Sequence, residues 1–401
     1  MNITVIGGGN IGTQFAVHSS DKGHSVKMFT SNPSRFSKHL FIVDKSDNVI
    51  KEGEIVLATS DPHEALHDAE MIMITMPPTM MIPLAQIVYE YADPHAVIGF
   101  VPGNGGFEFA FRDCIERGNV LFGIDRVPAI ARLKERGRTV CCSGYKDRLY
   151  VAALPSSHTE ECAALIESIY DIPCVRLPGF MALTLTPSNP ILHTARLMTI
   201  FSDYEPGVTY ESLPLFYEEW DDASSELLLA CDDEIQDICR ALPWFGLEYV
   251  VSEREFYNAD TVEEMTYAIR TATPSVCSDA LDIKGRGLSG LRKRRKQRWQ
   301  RIEQHIKRRS DWREILEERR NRRREENTEG LIPDLHSRYF TADFPYGLSV
   351  IQQIGKIAGV AMPNIDKLIE WYDNIAIIND KLRLSDYGIT DVESLKEFYL
   401  T

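Results

Sequence analysis

The chain begins NITVIGGGNIGTQF, and no other stretch restricts its fold as much. Residues 2–6 have the apolar composition of a buried strand, and Gly7, Gly9 and Gly12 follow in G-x-G-x-x-G spacing where a helical pattern starts. Each glycine answers a separate steric demand. Gly7 allows a tight turn, Gly9 lets a pyrophosphate approach the backbone, and Gly12 lets the helix pack closely on the strand. Between a strand and a helix this pattern predicts a dinucleotide-binding turn, with Asn10 and Ile11 at the helix N-terminus that receives the phosphates.

Downstream, strands alternate with helices. HSVKMFT (24–30), GEIVLATS (53–60), AEMIMITMP (69–77) and HAVIGFVPG (95–103) read as strands, with a helical pattern such as IPLAQIVYEYA between them. The alternation predicts an α/β, Rossmann-like, doubly wound parallel sheet. Ligands of such sheets lie at the carboxyl ends of strands. TMPP (75–78), with Met76 and Pro77, and VPGNGG (101–106), with Gly103, fall there and are expected to flank a nicotinamide ring. The sheet is expected to continue through PCVRLPG (173–179), after a helix whose capping box is Ser157 with Glu160, so residues 1–185 are read as one domain.

A chain that binds NAD usually carries Asp or Glu where the second strand ends, to hold the adenosine ribose. Here the stretch offers Thr30, Ser31, Asn32 and Arg35, and no acid before Asp44. Hydroxyls, an amide and a cation suit a 2′-phosphate, so NADP(H) is expected ahead of NAD(H).

Size and composition narrow the function classes. At 401 residues two domains are expected. A net charge of −15 argues against wholesale nucleic-acid binding. Met1 leads directly into a strand, which leaves no room for a signal peptide, and Pro77, Pro78 and Pro83 break the uncharged run 71–88, so no membrane span and a cytoplasmic location are expected. The cysteines at 114, 141, 142, 162, 174, 231, 239 and 277 show no CxxC pairing and read as reduced thiols, with no disulfide and no metal site.

From about residue 187 the pattern becomes helical, as in PILHTARLMTIF and SSELLLACDDEIQDICRALPWFG, and 186–401 is read as an all-α second domain. His193 enters its first turns just after Asn189 and Pro190, at the seam where a substrate would meet the nicotinamide. A single histidine in an apolar stretch is ordinarily structural; a second motif, HSRYFTADFPYG (336–347), changes that reading. Asn189, Pro190 and His193, together with Arg338, Tyr339, Thr341, Asp343, Pro345, Tyr346 and Gly347, resemble the octopine/nopaline (opine) dehydrogenase family across essentially the whole chain outside one insert.

That resemblance implies an oxidoreductase that condenses a 2-oxo acid with the amino group of an amino acid and reduces the imine. It implies His193 as proton donor and acceptor, Asp343 as its partner, and Arg338 as a cation for substrate carboxylate. Histidine titrates near neutrality, and a carboxylate fixes its tautomer and raises its basicity, which suits the loss of water and the protonation that this chemistry needs. Asn104, Arg132 and Asn189 are further candidate substrate contacts. The family commonly has Glu before its aspartate, whereas Ala342 stands here, which leaves the substrates' identity open. Rival readings are a 2-hydroxyacid or ketopantoate-type reductase, which usually relies on a lysine that this chain lacks between 187 and Lys284, and a non-catalytic NADP-binding sensor.

The insert, at about 285–330, is the odd segment. Residues 291–330 hold 16 Lys and Arg against 8 Asp and Glu, a balance of +8 in a chain of −15, so the remainder carries −23. Its Trp299 and Trp312 lie among sparse apolar stripes that read as two amphipathic helices. Residues 291–324 could contact nucleic acid, but segment 203–237 has 12 acids and no Lys or Arg. Docking of basic on acidic segment, within a chain or across a homodimer, is the preferred expectation.

Overall fold

The computed structural model describes residues 1–272, 331–376 and 381–400. The basic insert therefore lies outside the described residues, as does Cys277.

The first half is built on an eight-stranded sheet. Its strands in chain order are β1 (Asn2–Ile6), β2 (Ser25–Phe29), β5 (Leu57–Thr59), β6 (Met71–Ile74), β7 (Val97–Phe100), β8 (Leu121–Ile124), β11 (Leu149–Leu154) and β12 (Cys174–Arg176). Their spatial order is β12-β11-β8-β7-β6-β1-β2-β5. Every pairing is parallel except β11 with β8. The central strands are apolar on both faces, as a sheet covered by helices on both sides requires; Met71, Ile72, Met73 and Ile74 are all buried. Crossovers run through α1 (Asn10–Asp21), α2 (Pro62–Leu66) and α3 (Met81–Tyr91), the short α4 (Phe107–Ala110) and α5 (Arg112–Arg117), and α6 (Thr159–Tyr170).

A second sheet was not anticipated from the sequence. Strands β3 (His39–Val43), β4 (Val49–Glu54), β9 (Ile130–Glu135) and β10 (Thr139–Ser143) form a four-stranded sheet in the order β4-β3-β10-β9. It covers α1, and β4 approaches that helix at Gly53, where a Cβ would lie 3.0 Å from the Val17 carbonyl oxygen. The run GEIVLATS is consequently two strands rather than one. Gly53 and Glu54 end β4 in the small sheet, and Leu57–Thr59 joins the large one. The residue pattern does not reveal the change of sheet: Ile55 is buried, but Val56, in the link between the two strands, is exposed.

The expected capping box at Ser157 is not formed. Ser157 lies in a 3-10 turn, Ser156–His158, and α6 starts at Thr159, whose Oγ1 accepts the Ala153 amide at 3.0 Å. The Thr159 hydroxyl ties helix to strand, and the N-cap is His158, one residue after the expected Ser157.

After β12 every regular element of the described residues is helical, apart from an isolated bridge between Tyr210 and Leu331. They are α7 (Met181–Thr184), α8 (Asn189–Ile200), α9 (Asp222–Ala241), α10 (Glu253–Tyr257), α11 (Val262–Ala272), a ten-residue π-helix (Tyr339–Leu348) and three further helices, Ser349–Ile357, Pro363–Ile375 and Val392–Tyr399. α8 is central, with buried residues from Pro190 through Leu197, and packs on the π-helix and α9. Among the described residues no helix is long and apolar enough to cross a membrane.

Candidate active site

The glycine-rich turn has the form its spacing predicts. Gly7 adopts φ of +109°, and a Cβ there would lie 2.8 Å from both Met76 Sδ and Thr75 Oγ1. Thr75 Oγ1 in turn donates toward the carbonyls of Ile6 (3.1 Å) and Gly7 (3.0 Å), so the TMPP turn clamps the glycine turn. A Cβ on Gly12 would collide with the Gly7 carbonyl, the close helix–strand contact expected of the third glycine. At Gly9 a Cβ would meet nothing within 4 Å, and α1 starts there with no capping side chain and no acid in its first turn. Open space before an uncapped helix of 12 residues fits a pyrophosphate. Ile11 is half-buried in the first turn. Asn10 has a second duty that the motif does not reveal: its Oδ1 accepts the Leu133 amide of β9 at 2.9 Å and ties the small sheet to the turn.

Beyond β2, Thr30, Ser31 and Asn32 bond one another, with Asn32 Nδ2 donating to Ser31 Oγ at 3.1 Å and the Asn32 amide pointing to Thr30 Oγ1 at 3.4 Å. Arg35 is exposed. The β9–β10 turn packs on it: Ser37 N donates to the Gly137 carbonyl at 2.9 Å, and a Cβ on Gly137 would collide with the Arg35 carbonyl. The small sheet thereby brings the turn that carries Arg136 and Arg138 against the backbone of Arg35, and Arg138 also pairs with Glu135 at 3.7 Å.

The two turns at the carboxyl ends of β6 and β7 meet. A Cβ on Gly105 would lie 3.0 Å from Pro78 Cγ, and Gly103 donates its amide to the Ile124 carbonyl at 2.7 Å. Asn104, between them, is half-buried, and Pro77 is exposed. On the far side Gly106 abuts Leu382 and Val350, so this loop touches the helical half.

The helical half supplies the titratable centre. Pro190 starts α8, where a proline costs no hydrogen bond, and Asn189 sits exposed at the helix start. Gly347, near the end of the π-helix, faces Pro190 so closely that a Cβ would lie 2.7 Å from Pro190 Cγ. Three residues along α8 and four back along the π-helix, His193 Nδ1 meets Asp343 Oδ2 at 2.8 Å. The two motifs thus hold each other in register. A π-helix at a functional site is a recurrent use of that strained geometry, here with Pro345 inside it. Ala342, where the family commonly has Glu, is buried in the same element.

His193 is 2% exposed. Burial lowers its pKa from the usual 6.5, the neighbouring Asp343 carboxylate opposes that shift, and Arg338 adds to it. The lowered pKa favours the neutral imidazole, for which a carboxylate at Nδ1 selects the Nδ1–H tautomer and leaves the lone pair on Nε2. Tyr217 Oη lies 3.1 Å from Nε2. The Tyr339 ring stands edge-on to the imidazole with centroids 4.5 Å apart. Arg338, the residue before the π-helix, lies over the Tyr339 ring at 5.3 Å.

Arg132 is placed elsewhere. It lies on β9 with its guanidinium bonded to the Ala131 carbonyl at 2.9 Å, one residue from the amide held by Asn10. Its strand therefore lies beside the glycine turn.

Sequence reasoning missed Arg196 and Tyr217 at this centre, and Arg126 and Glu253 beside the approach to α8. Arg196, fully buried, bonds the carbonyls of Leu215 (3.3 Å), Phe216 (3.1 Å) and Glu219 (2.5 Å) and so fixes the loop bearing Tyr217. Its position three residues after His193, in an otherwise apolar helix face, was the available signal. Arg126, after β8, donates to the Pro187 carbonyl at 2.9 Å and stacks on Phe256 at 3.6 Å, joining the sheet to the approach of α8. It also faces the buried Glu253 at 3.7 Å, a carboxyl that burial pushes up to about 7.

Comparison with known proteins matches each half of the chain to a family model. Residues 176–376 match the family model described as NAD/NADP octopine/nopaline dehydrogenase, alpha-helical domain. Residues 2–103 match that of the NAD-dependent glycerol-3-phosphate dehydrogenase N-terminus. Octopine dehydrogenase of Pecten maximus is 25% identical, over 92% of this chain and 89% of that protein. An uncharacterized protein of Sinorhizobium fredii is 30% identical over 60% of this chain and 68% of its own length. A solved octopine dehydrogenase structure with NADH and L-arginine superposes with a TM-score of 0.73 at 21% identity, covering 98% of this chain and 97% of the other.

Proposed function

Because the chain belongs to the octopine/nopaline dehydrogenase family, we propose that it condenses a 2-oxo acid with the amino group of an amino acid and reduces the resulting imine, with NADPH preferred to NADH. It is an NAD(P)-dependent oxidoreductase acting on CH–NH groups. The observation that carries the reading is the buried His193–Asp343 pair, held in register by Pro190 against Gly347.

A bound nicotinamide dinucleotide would supply the hydride for the imine carbon. Gly7, Gly9 and Gly12, with the first amides of α1 at Asn10 and Ile11, would hold its pyrophosphate. Met76, Pro77 and Gly103 would flank its reactive ring. Thr30, Ser31, Asn32 and Arg35 would meet its ribose. The absence of an acid at the end of β2, and the three arginines at 35, 136 and 138, support a 2′-phosphate there.

Arg338 would pair with the carboxylate of the 2-oxo acid, while Asn104 and Asn189 would line the approach. Nε2 of His193 takes a proton from the attacking amine and returns it when water leaves. Asp343 keeps Nδ1 protonated, so that Nε2 is the nitrogen presented for this exchange, and it stabilises the imidazolium when it forms. We further propose that the two functional halves divide near residue 185, and that the protein works in the cytoplasm as a homodimer.

The test is oxidation of NADPH, with NADH in parallel, over a grid of 2-oxo acids with and without amino acids, for wild type and His193→Ala. The expected result is turnover only when both carbon substrates are present, faster with NADPH, and a loss of about 10³-fold in kcat for the variant. Reduction of a 2-oxo acid alone would make the protein a hydroxyacid-type reductase. NADPH binding without turnover would favour a sensor.

A further inference from the structure

We propose that Tyr217 is a catalytic residue of this centre: its phenol shares a proton with Nε2 of His193 and delivers it to the oxygen that leaves when the condensation loses water. The inference rests on the reading above and adds to it a group outside both sequence motifs.

Asp343 occupies Nδ1, so Nε2 is the ring nitrogen left for chemistry, and the Tyr217 hydroxyl sits on it at 3.1 Å. The neutral imidazole has its lone pair there, so Tyr217 donates. The contact is built rather than incidental. Arg196 projects from α8 three residues after His193 and grips carbonyls on both sides of Tyr217, at Leu215, Phe216 and Glu219. The helix that carries the base therefore also positions the phenol. Phe216 completes the clamp, edge-on to Tyr217 at 4.9 Å and to His193 at 5.7 Å, and stacked on Tyr339 at 5.6 Å.

Among the described residues, the charged and titratable groups recorded against His193, besides Tyr217, are Asp343 and Tyr339 on the π-helix and Arg338 at its start. Arg338 is electrostatically coupled to both Asp343 and Tyr217. A transient phenolate at Tyr217 would thus be stabilised by the positive charge of Arg338.

The step balances as follows. When the neutral amine attacks the 2-oxo carbon, its nitrogen loses one proton, which passes through Nε2 and Tyr217 to the former carbonyl oxygen and makes it a hydroxyl, and Nε2 takes the second N–H proton as water leaves. The C–O bond then breaks with its electron pair on oxygen. That oxygen takes the Tyr217 proton and departs as water, while the nitrogen lone pair forms C=N. The phenolate recovers a proton from Nε2–H, which returns His193 to the neutral form. The reverse sequence hydrates the imine.

The experiment is Tyr217→Phe, which keeps the ring and its packing and removes the hydroxyl. With a substrate pair that wild type turns over, kcat is expected to fall about 10- to 100-fold in both directions, with substrate KM within about twofold. The solvent deuterium isotope effect is expected to rise as water loss becomes slower than hydride transfer. In ¹⁵N-histidine spectra of the free protein the His193 Nε2 resonance is expected to move. A kcat within twofold of wild type, or an unmoved Nε2 resonance, would overturn the inference, as would a variant in which only KM or Tm changes. Wild-type inactivity on every pair would instead sink the proposed function, and the ¹⁵N spectrum would still judge Tyr217 by itself.

Discussion

Each half of the molecule buries a histidine, and their contrasting surroundings separate a structural histidine from one fit for proton transfer. His18, on α1 between the two sheets, is 3% exposed. Its Nε2 meets the Tyr145 hydroxyl at 3.1 Å, and its ring lies 4.7 Å from that of Tyr170. Burial, with nearby Lys51 adding to it, pushes its pKa down to about 4. His193 is as deeply buried, but Asp343 at 2.8 Å works against the desolvation. Burial alone makes an imidazole a neutral spacer. A carboxylate on one ring nitrogen fixes the tautomer and keeps proton uptake at the other within reach.

The sharpest way to break the contrast is Asp343→Asn. The amide removes the charge that supports imidazolium and permits the wrong tautomer, so kcat is expected to fall by about 10² or more. Thermal unfolding should barely change, and His18→Phe should leave kcat at the wild-type value. If Asp343→Asn keeps wild-type kcat, the two histidines are not functionally distinct.

Next in size is Gly347→Ala. The new Cβ, 2.7 Å from Pro190 Cγ, must push α8 and the π-helix apart and so lengthen the His193–Asp343 contact. The expected result is about a tenfold loss of kcat and a destabilisation of about 1–3 kcal/mol in denaturant titration. An unchanged kcat with lowered stability would mean that the register of the dyad does not depend on this contact.

The smallest effect concerns His18 and pH. Its folded pKa of about 4 lies below the unfolded 6.5, so the unfolded chain binds the extra proton between these values. Its contribution to stability is complete above pH 6.5 and is lost as pH falls toward 4, by at most about 3 kcal/mol. Tm measured from pH 7 to 4 should fall less steeply for His18→Phe than for wild type. Parallel slopes would show that His18 does not set the acid limb.

The contrast also marks how far the sequence could be read. Both histidines stand in helical, largely apolar stretches, and their own neighbours do not distinguish them. Asp343 does, and it lies 150 residues from His193. It was reachable because the motif around it resembles a known family. Tyr217 had no such flag: it sits in an acidic loop whose path depends on Arg196, and a pattern of residue types carries no record of which carbonyls an arginine will hold. Asn10 was read as part of the phosphate turn, while its side chain is spent on Leu133 of a sheet that strand periodicity could not foresee.

By itself the sequence determined the glycine turn, the strand–helix alternation of the large sheet, the change to helices after residue 187 and the two motifs, because each depends on local sterics and short-range periodicity. Tertiary structure decided the rest. It decided that GEIVLATS would divide between two sheets, that the arginine-bearing turn at Gly137 would lie against Arg35, and that Pro190 would seat on Gly347 so that His193 meets Asp343. Those outcomes depend on packing between segments far apart in the chain, where close contact and burial, rather than local preference, set the energy.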